Sequence, residues 1–375
     1  MFRLNRDQQE WVDTTFSTMS TAEKLGQMIC VNRRRLPEAT RLAAFMEQYP
    51  VGHAFAGSEI IDPARDNIDE VRRKADAVLE AAEPRQSLLL CGDFEHGAGT
   101  TVSSFTRFPN PLALGAAGDP ELAYAEGKAI SSEAKSLGAR WAFGPVADLN
   151  TNLNNPVTNH RAFGDDPDHA LPLLKAYIRG MQDHGFAACA KHFPGDGTDD
   201  RNQHQVTSLN TLSMGEWYQQ HGRVFKELIE EGVMSVMIGH IGFPACEGAD
   251  ARGLFRPATA SRRVMTDLLR KELGFEGIIV TDALSMGGFC SFAPYEERMI
   301  DCFNGGADVF LWPETSRFYG LMLRALDDGR VSEERLNESV RRILCFKAYL
   351  GVHEHNSPVP VSRDTVAENQ TAAAR

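Results

Sequence analysis

The 375-residue sequence lacks the features that several large classes of protein require. No apolar run is long enough to cross a bilayer, and the first residues lack the apolar centre of a signal peptide. Positive charge is also scarce, because the formal net charge is −12. That balance argues against nucleic acid and against anionic membrane surfaces as partners. We therefore expect a cytoplasmic protein with no nucleic-acid and no membrane partner.

Cofactor motifs are missing as well. Seven cysteines are scattered without a CxxC pair, which favours reduced thiols and makes a structural zinc site unexpected. No GxGxxG or GxxxxGK[ST] motif opens a helical pattern, so nothing predicts a bound nucleotide. His192, His204 and His240 show neither HxH nor HExxH spacing, so a metal-dependent hydrolase is a weak alternative. We expect no metal and no other cofactor.

The sequence does contain a regular alternation of short apolar runs and amphipathic helical patterns. The strand-like runs fall at residues 27–31, 53–56, 88–92, 140–143, 186–191, 235–238, 277–281 and 307–311. Helical patterns follow at residues 68–82, 120–137, 171–183, 214–230, 261–273, 316–327 and 332–350. Eight strands alternating with helices predict an α/β fold, namely a single (β/α)8 barrel of the TIM type. A doubly wound open sheet is the alternative, because periodicity does not show whether the sheet closes.

The predicted barrel spans residues 1–353, since no internal linker marks a second large domain. From residue 354 the composition turns to Pro, Ser, Asn, Gln and Ala. Such a terminal segment offers few apolar side chains to bury, which predicts a flexible, poorly ordered tail over residues 354–375.

Polar side chains follow five successive predicted strands. They are Asp93 after the third strand, Asp148 and Arg161 after the fourth, Lys191 and His192 at the end of the fifth, His240 after the sixth, and Asp282 after the seventh. In a (β/α)8 barrel the carboxyl ends of the strands meet at one rim, where active sites lie. A single histidine there is more often a packing residue, but five strands that end in this way predict a pocket for a small polar ligand.

Two of these positions suggest catalysis. The loop after the fifth strand is unusually polar, with the sequence PGDGTDDRNQH over residues 194–204. Asp282 follows a fully apolar run, so we expect a carboxylate held rigidly at the floor of the pocket. A rigid carboxylate with basic neighbours stays ionised, which suits a nucleophile or a charge stabiliser. The alternative is that Asp282 caps a helix beginning at Ala283.

Several motifs resemble glycoside hydrolase family 3, and in particular its single-domain bacterial β-N-acetylglucosaminidases. The sequence KHFPGDG at residues 191–197 is followed by His204, and AFGDDP at 162–167, LGFEG at 273–277 and TDALSM at 281–286 complete the pattern. The similarity extends from about residue 23 to about residue 350. It implies a catalytic barrel without a C-terminal α/β sandwich domain and a small oligosaccharide or glycoside as substrate.

The resemblance also implies a mechanism, in which a terminal β-linked N-acetylglucosamine is removed with retention of configuration. Asp282 would form a covalent glycosyl-enzyme, and His204 would protonate the leaving oxygen and then activate water. The implied substrate-binding residues are Asp93, Arg161, Lys191, His192 and His240, with Asp148 near the sugar and Met286 as a wall. For Met286, ordinary core packing is an equally good interpretation.

Two positions depart from the family's pattern. Asn202 stands where relatives usually carry an acidic partner for the catalytic histidine. Asn202 supplies no negative charge, so we predict a lowered pKa for His204 and a slower enzyme, unless Asp199 or Asp200 takes over that role. The loop after Asp93 lacks the arginine that commonly follows its glycines, which leaves one sugar-hydroxyl contact open.

The same residues are compatible with three alternative functions. A β-glucosidase of this family is less favoured, because such enzymes commonly take their acid from an additional C-terminal domain. A phosphorylase is possible, since a neutral imidazole does not repel phosphate as a carboxylate would and some relatives with this loop use phosphate. A sugar-binding pseudoenzyme with a decayed Asn202 and His204 dyad is opposed by the presence of both Asp282 and His204.

Overall fold

A computed structural model describes residues 2–32, 39–55, 76, 79–80, 88–354 and 357–375. Its strands are β1 Ile29–Asn32, β2 His53–Phe55, β3 Leu89–Gly92, β4 Ala139–Ala142, β5 Cys189–Phe193, β6 Ser208–Leu209, β7 Ser235–Ile238, β8 Ile241–Gly242, β9 Ile278–Thr281 and β10 Phe310–Leu311. Each of the eight predicted strand positions therefore coincides with or overlaps an observed strand. The two others, β6 and β8, are short and pair with each other.

The strands are parallel, and the main ones pair in chain order. One sheet has the order β10-β1-β2-β3-β4, and a second has the order β5-β7-β9. Isolated parallel bridges join the two sheets, from Trp141 to Ala187 and from Val146 to Lys191 on one side, and from Val280 to Val309 on the other. Because all these strands run in one direction, their carboxyl ends lie on the same side of the molecule.

Helices connect most consecutive strands, as parallel neighbours require. The helices in the described residues are Arg6–Thr18, Thr21–Gln27, Ala39–Gln48, Pro111–Ala117, Pro120–Lys135, Pro167–Gln182, Met214–Gln219, His221–Glu230, Arg263–Glu272, Gly287–Cys290, Tyr295–Gly305, Thr315–Asp327, Glu333–Tyr349 and Arg363–Ala373. The predicted helix at 68–82 lies almost entirely outside the described residues. The predicted helix at 214–230 is two helices, because Gln220 has non-helical dihedral angles. None of the helices in the described residues is both long and apolar enough to span a membrane.

The strands are buried on both faces. Every residue of β3, β4, β5, β7 and β9 is buried. Parallel strands covered on both sides are typically continuous apolar runs, which explains why the sequence showed them so clearly. One polar contact crosses this interior, where the Trp141 Nε1 atom on β4 donates to the Ser235 hydroxyl on β7 at 2.7 Å.

A buried carboxylate ties the helix Glu333–Tyr349 to the strands. Asp308, just before β10, accepts hydrogen bonds from Arg342 Nη1 at 2.6 Å and from the Ile279 amide at 2.9 Å. It also pairs with Arg270. Burial opposes ionisation of Asp308, but the arginine charges outweigh burial and hold its pKa at about 2. This ion cluster therefore stays charged across the physiological pH range.

The end of the chain differs from its prediction. A helix, Arg363–Ala373, is present where the composition predicted a flexible, poorly ordered tail, and it packs on Pro120–Lys135. Val366 is buried in this contact, and Asn369 Nδ2 donates to Glu133 Oε1 at 2.8 Å. Composition missed this helix because its contacts come from a segment more than two hundred residues earlier in the chain.

Candidate active site

The polar residues at the carboxyl ends of the strands surround a cavity of about 300 Å³. Seven of the ten predicted site residues line it, namely Asp93, Arg161, Lys191, His192, His204, Asp282 and Met286. Apolar side chains, including those of Phe55 and Trp312, complete the wall. The lining thus combines charged and apolar side chains, as a site for a sugar ring would.

Two cations and two carboxylates of the lining form a cluster. Lys191 Nζ lies 3.1 Å from Asp93 Oδ1 and 2.5 Å from Glu95 Oε1. Arg161 makes a two-pronged contact with Glu95, at 2.9 Å from Nε and 2.7 Å from Nη2. Burial opposes the charge on Lys191, but Asp93 and Glu95 outweigh burial and raise its pKa above the usual value. Both cations therefore stay charged, and they can donate to hydroxyl groups.

Glu95 lines the cavity as well, although the sequence did not predict it as a site residue. Its side chain is one-tenth exposed, and the charges of Lys191 and Arg161 hold its pKa well below the usual range despite burial. Asp93 is about half exposed, at 54%, so its carboxylate is open to a ligand. Glu95, by contrast, holds the two cations in place. The signal that could have found Glu95 is its position two residues after Asp93, on the same loop.

Asp148 lies behind the cavity and orients His192. Its Oδ2 atom is 2.7 Å from His192 Nδ1, and its Oδ1 atom accepts the His192 amide at 3.0 Å. Burial opposes ionisation of Asp148, but the charge and hydrogen bonds of His192 outweigh it and lower the pKa. With Nδ1 engaged in this way, Nε2 of His192 faces Asp282, at 3.8 Å from its Oδ2 atom.

Asp282 lines the cavity, and two main-chain hydrogen bonds hold it there. Its Oδ1 atom accepts the Ala283 amide at 2.7 Å, and its own amide donates to the Ile238 carbonyl at 2.9 Å. Burial opposes its ionisation, but the positive charge of nearby histidines, His192 first, lowers the pKa below the usual value. Asp282 therefore stays a carboxylate. The helix-cap alternative is wrong, because no helix begins at Ala283 in this segment.

His204 lies at the exposed side of the cavity and is paired with Asn202. The Asn202 Oδ1 atom is 2.8 Å from His204 Nδ1 and accepts the His204 amide at 2.9 Å. The pKa of His204 is lowered, chiefly because the ring is partly removed from water, although the charge of Asp282 acts in the opposite direction. The direction agrees with the prediction, but partial burial is the leading cause.

Neither Asp199 nor Asp200 supplies the missing charge beside His204. Asp199 accepts Arg201 Nε at 2.6 Å and the Leu209 amide at 2.7 Å. Asp200 accepts Asn152 Nδ2 at 2.5 Å. Both carboxylates are thus engaged elsewhere, and the oxygen that faces the His204 ring belongs to a neutral amide.

His240 does not line the cavity, although the resemblance implied a sugar contact for it. The ring is fully buried, with Nδ1 at 2.8 Å from the Thr259 hydroxyl and Nε2 at 3.0 Å from the Ala283 carbonyl. Both ring nitrogens are therefore used within the protein. His240 supports the segment that follows Asp282, and it is not available to a ligand.

Beside the Lys191 and Arg161 cluster, the ionised carboxylate of Asp282 and the imidazole of His204 face the same cavity. Among the described residues, no three or more His, Cys, Asp or Glu side chains lie close enough together to hold a metal ion. What the arrangement can supply is a nucleophile in Asp282, a proton donor or acceptor in His204, and a set of hydroxyl-binding side chains.

Comparisons with known proteins agree with one another. The model described as the glycosyl hydrolase family 3 N terminal domain matches residues 20–346. The chain is 34% identical to a beta-N-acetylglucosaminidase/beta-glucosidase of Cellulomonas fimi, over 100% of this chain and 66% of that relative.

Two solved structures are similar along nearly the whole chain. One is a beta-glucoside phosphorylase, BglX, bound to 2FGlc, with a TM-score of 0.88, 29% identity, and coverage of 99% of this chain and 67% of that one. The other is a glycoside hydrolase family 3 beta-N-acetylglucosaminidase from Paenibacillus sp. str. FPU-7, with a TM-score of 0.83, 30% identity, and coverage of 95% and 68%. The chain spans about two thirds of the length of each of these three proteins.

Proposed function

The chain belongs to glycosyl hydrolase family 3, and from that premise we propose that it removes terminal β-linked N-acetylglucosamine from a small glycoside or oligosaccharide. The observation that carries the proposal is that the Asp282 carboxylate and the His204 imidazole line one cavity. We further propose that the eight main strands form a single (β/α)8 barrel. Their order and the parallel bridges at Trp141 and Val280 support this closure.

The cavity favours a single sugar residue at the end of a chain. A volume of about 300 Å³ is at the small end of the range for ligand sites, which suits one ring. Lys191 and Arg161 would donate hydrogen bonds to hydroxyl oxygens, and the half-exposed Asp93 would accept from hydroxyl groups. His192, held by Asp148, would add a contact from Nε2, while Met286 and Trp312 pack against the apolar face of the ring.

In the first chemical step, Asp282 attacks the anomeric carbon and the bond to the leaving oxygen breaks. A protonated His204 donates its proton to that oxygen, so the leaving group departs as a neutral alcohol. In the second step, His204 takes a proton from water, the water oxygen bonds to the anomeric carbon, and the carboxylate of Asp282 is released. Two displacements at one carbon retain its configuration.

We also propose that the protein acts in the cytoplasm, and the reduced state of its thiols supports this. All seven cysteines are free thiols, and the sulfur atoms of Cys30 and Cys91, 3.4 Å apart, share a hydrogen bond and no disulfide. Free thiols of this number are typical of a reducing compartment.

A phosphorylase is the second candidate. The observation that favours it is the similarity to the beta-glucoside phosphorylase, together with the lowered pKa of His204. A neutral imidazole leaves room for phosphate, an anion that a carboxylate base would repel. In that reaction the phosphate oxygen, in place of water, would bond to the anomeric carbon.

Release of nitrophenol from 4-nitrophenyl β-N-acetylglucosaminide, compared with the β-glucoside, tests the proposal. Asp282→Ala is the blank, because it removes the nucleophile. Turnover of the acetamido sugar that is abolished in the variant supports the proposal, and a rate that rises with phosphate while a sugar phosphate accumulates favours the phosphorylase. Turnover of the glucoside alone contradicts the choice of sugar. No turnover of either compound favours a sugar-binding protein.

A further inference from the structure

Two loops carry the reacting groups, and they are joined directly. The acid/base loop, residues 194–206, carries His204, and the nucleophile loop, residues 282–288, begins with Asp282. The Gly287 amide donates to the His204 carbonyl at 2.7 Å, and the Gly288 amide donates to the Gln203 carbonyl at 3.0 Å. The main chain on either side of the catalytic histidine is thus bonded to the loop that begins with the nucleophile.

Glycine is required on the nucleophile loop for this contact. A Cβ atom added to Gly287 would overlap the Gln205 carbonyl oxygen, and one added to Gly288 would lie 2.6 Å from the Gln203 carbonyl oxygen. Both approaches are closer than any ordinary contact between atoms. A side chain at either position would therefore push the acid/base loop away.

Gln203 fixes the same loop from its other side. Its side chain is fully buried, whereas the next residue, His204, lines the cavity. The Nε2 atom donates to Asp196 Oδ2 at 3.0 Å, and the Oε1 atom accepts the His240 amide at 2.9 Å. Both ends of the amide are therefore used.

The partner of Gln203 connects to the sugar side of the cavity. The Asp196 amide donates to Asp148 Oδ1 at 2.7 Å, and Oδ2 of the same Asp148 carboxylate contacts His192 Nδ1. A continuous set of buried hydrogen bonds thus runs from His192, through Asp148 and Asp196, to Gln203. It ends one residue away from the catalytic histidine.

We propose that Gln203 is a positioning residue for the general acid, and that Gly287 and Gly288 are the surface on which it holds the acid/base loop. The proposal rests on the proposed function only for the role given to His204. His204 itself is exposed, and among the described residues its ring has one side-chain partner, so its place opposite Asp282 depends on the loop that carries it. A displacement of about 1 Å is enough to cost on the order of a hundredfold in rate.

The first test compares two leaving groups in three variants. Gln203→Leu removes both amide contacts, Gly287→Ala adds the overlapping methyl group, and Gln205→Leu is the matched control, since its side chain is exposed on the same loop. The readout is kcat/KM with phenyl and with 2,4-dinitrophenyl β-N-acetylglucosaminide, because the dinitrophenolate leaves without a proton.

We expect Gln203→Leu and Gly287→Ala to lose roughly a hundredfold on the phenyl glycoside, the lower end of what a general acid contributes. On the dinitrophenyl glycoside they lose little, which also shows that they fold, and the control behaves as the wild type on both. Equal losses on the two substrates would mean a merely structural role and would overturn the proposal. So would wild-type activity in both variants.

The second test does not depend on catalysis. Arg201 lies on the acid/base loop with its side chain about half exposed, so trypsin can report whether that loop lifts. We expect faster cleavage after Arg201 in Gln203→Leu and Gly287→Ala than in the wild type and in Gln205→Leu. Unchanged cleavage would refute the positioning role. Faster cleavage in a protein that hydrolyses no glycoside would uphold it and would contradict the proposed function instead.

Discussion

Replacing Asn202 with aspartate, which has nearly the same shape, would give His204 a charged partner in the same position. The Asn202 Oδ1 atom already lies 2.8 Å from His204 Nδ1, so a carboxylate of nearly the same shape can take its place. A full charge at that distance from imidazolium is worth about 1.5 kcal/mol in bulk water and about 6 kcal/mol at an effective dielectric constant of 20. His204 is exposed, so the lower figure applies, and it corresponds to a rise of about one pKa unit.

The rise in pKa should appear directly in the pH dependence. His204 must be protonated to act as the acid, and partial burial now lowers its pKa. We expect Asn202→Asp to move the basic limb of kcat/KM upward by about one pH unit. Above the pKa, where the protonated form limits the rate, activity on a phenyl glycoside should rise by up to about tenfold.

Asp200→Asn is the control for the Asn202→Asp profile. That change removes a carboxylate from the same loop, but Asp200 is bonded to Asn152 and does not contact His204. Its basic limb should stay where the wild-type limb lies. A limb in Asn202→Asp that stays in place or moves to lower pH would refute the reasoning, because a carboxylate at this distance must stabilise the protonated ring.

Two further predictions concern stability and are checked by urea unfolding. Glu126 is buried at an apolar cavity of about 140 Å³, and no hydrogen bond to its carboxyl is found in the described residues. Burial raises its pKa, so the unfolded chain ionises first and stability falls as pH rises above the unfolded value. Glu126→Leu should therefore stabilise the protein by about 1–3 kcal/mol near pH 7 and by little below about pH 4; destabilisation near neutrality would contradict this. Asp308→Asn should destabilise by about 3–5 kcal/mol near pH 7, because it leaves partly buried arginines without their buried carboxylate partner. The folded pKa of Asp308 is depressed to about 2, so the difference should shrink as pH falls from about 4 towards 2; a pH-independent difference would count against the ion cluster.

The strands and most of the cavity could be predicted from the sequence, for one physical reason. Parallel strands buried on both faces must be short apolar runs, so their positions show without any knowledge of their partners. Once the strands are placed, the residues that follow them must gather at one edge. Lys191, His192 and Asp282 were found in this way, and all three line the cavity.

Residues whose role depends on distant partners could not be predicted in this way. Glu95 is an ordinary loop glutamate until Lys191 and Arg161 are brought against it. The terminal helix Arg363–Ala373 is an ordinary polar segment until it packs on Pro120–Lys135. In both cases the sequence near the residue carries no periodic signal, because the stabilising contact comes from another part of the chain.

His240 shows how a residue that binds ligand differs from one that only supports the site. The difference is whether a ring nitrogen is left for the ligand. Histidines at two neighbouring strand ends, His192 and His240, are equivalent by residue type and position, yet only His192 lines the cavity. His192 keeps Nε2 turned toward Asp282, whereas both ring nitrogens of His240 are used by Thr259 and Ala283. Substitutions of residues that support the loops, such as Gln203 and His240, should therefore act by moving those loops. They should change the dependence of the rate on leaving group and pH more than the affinity for the sugar.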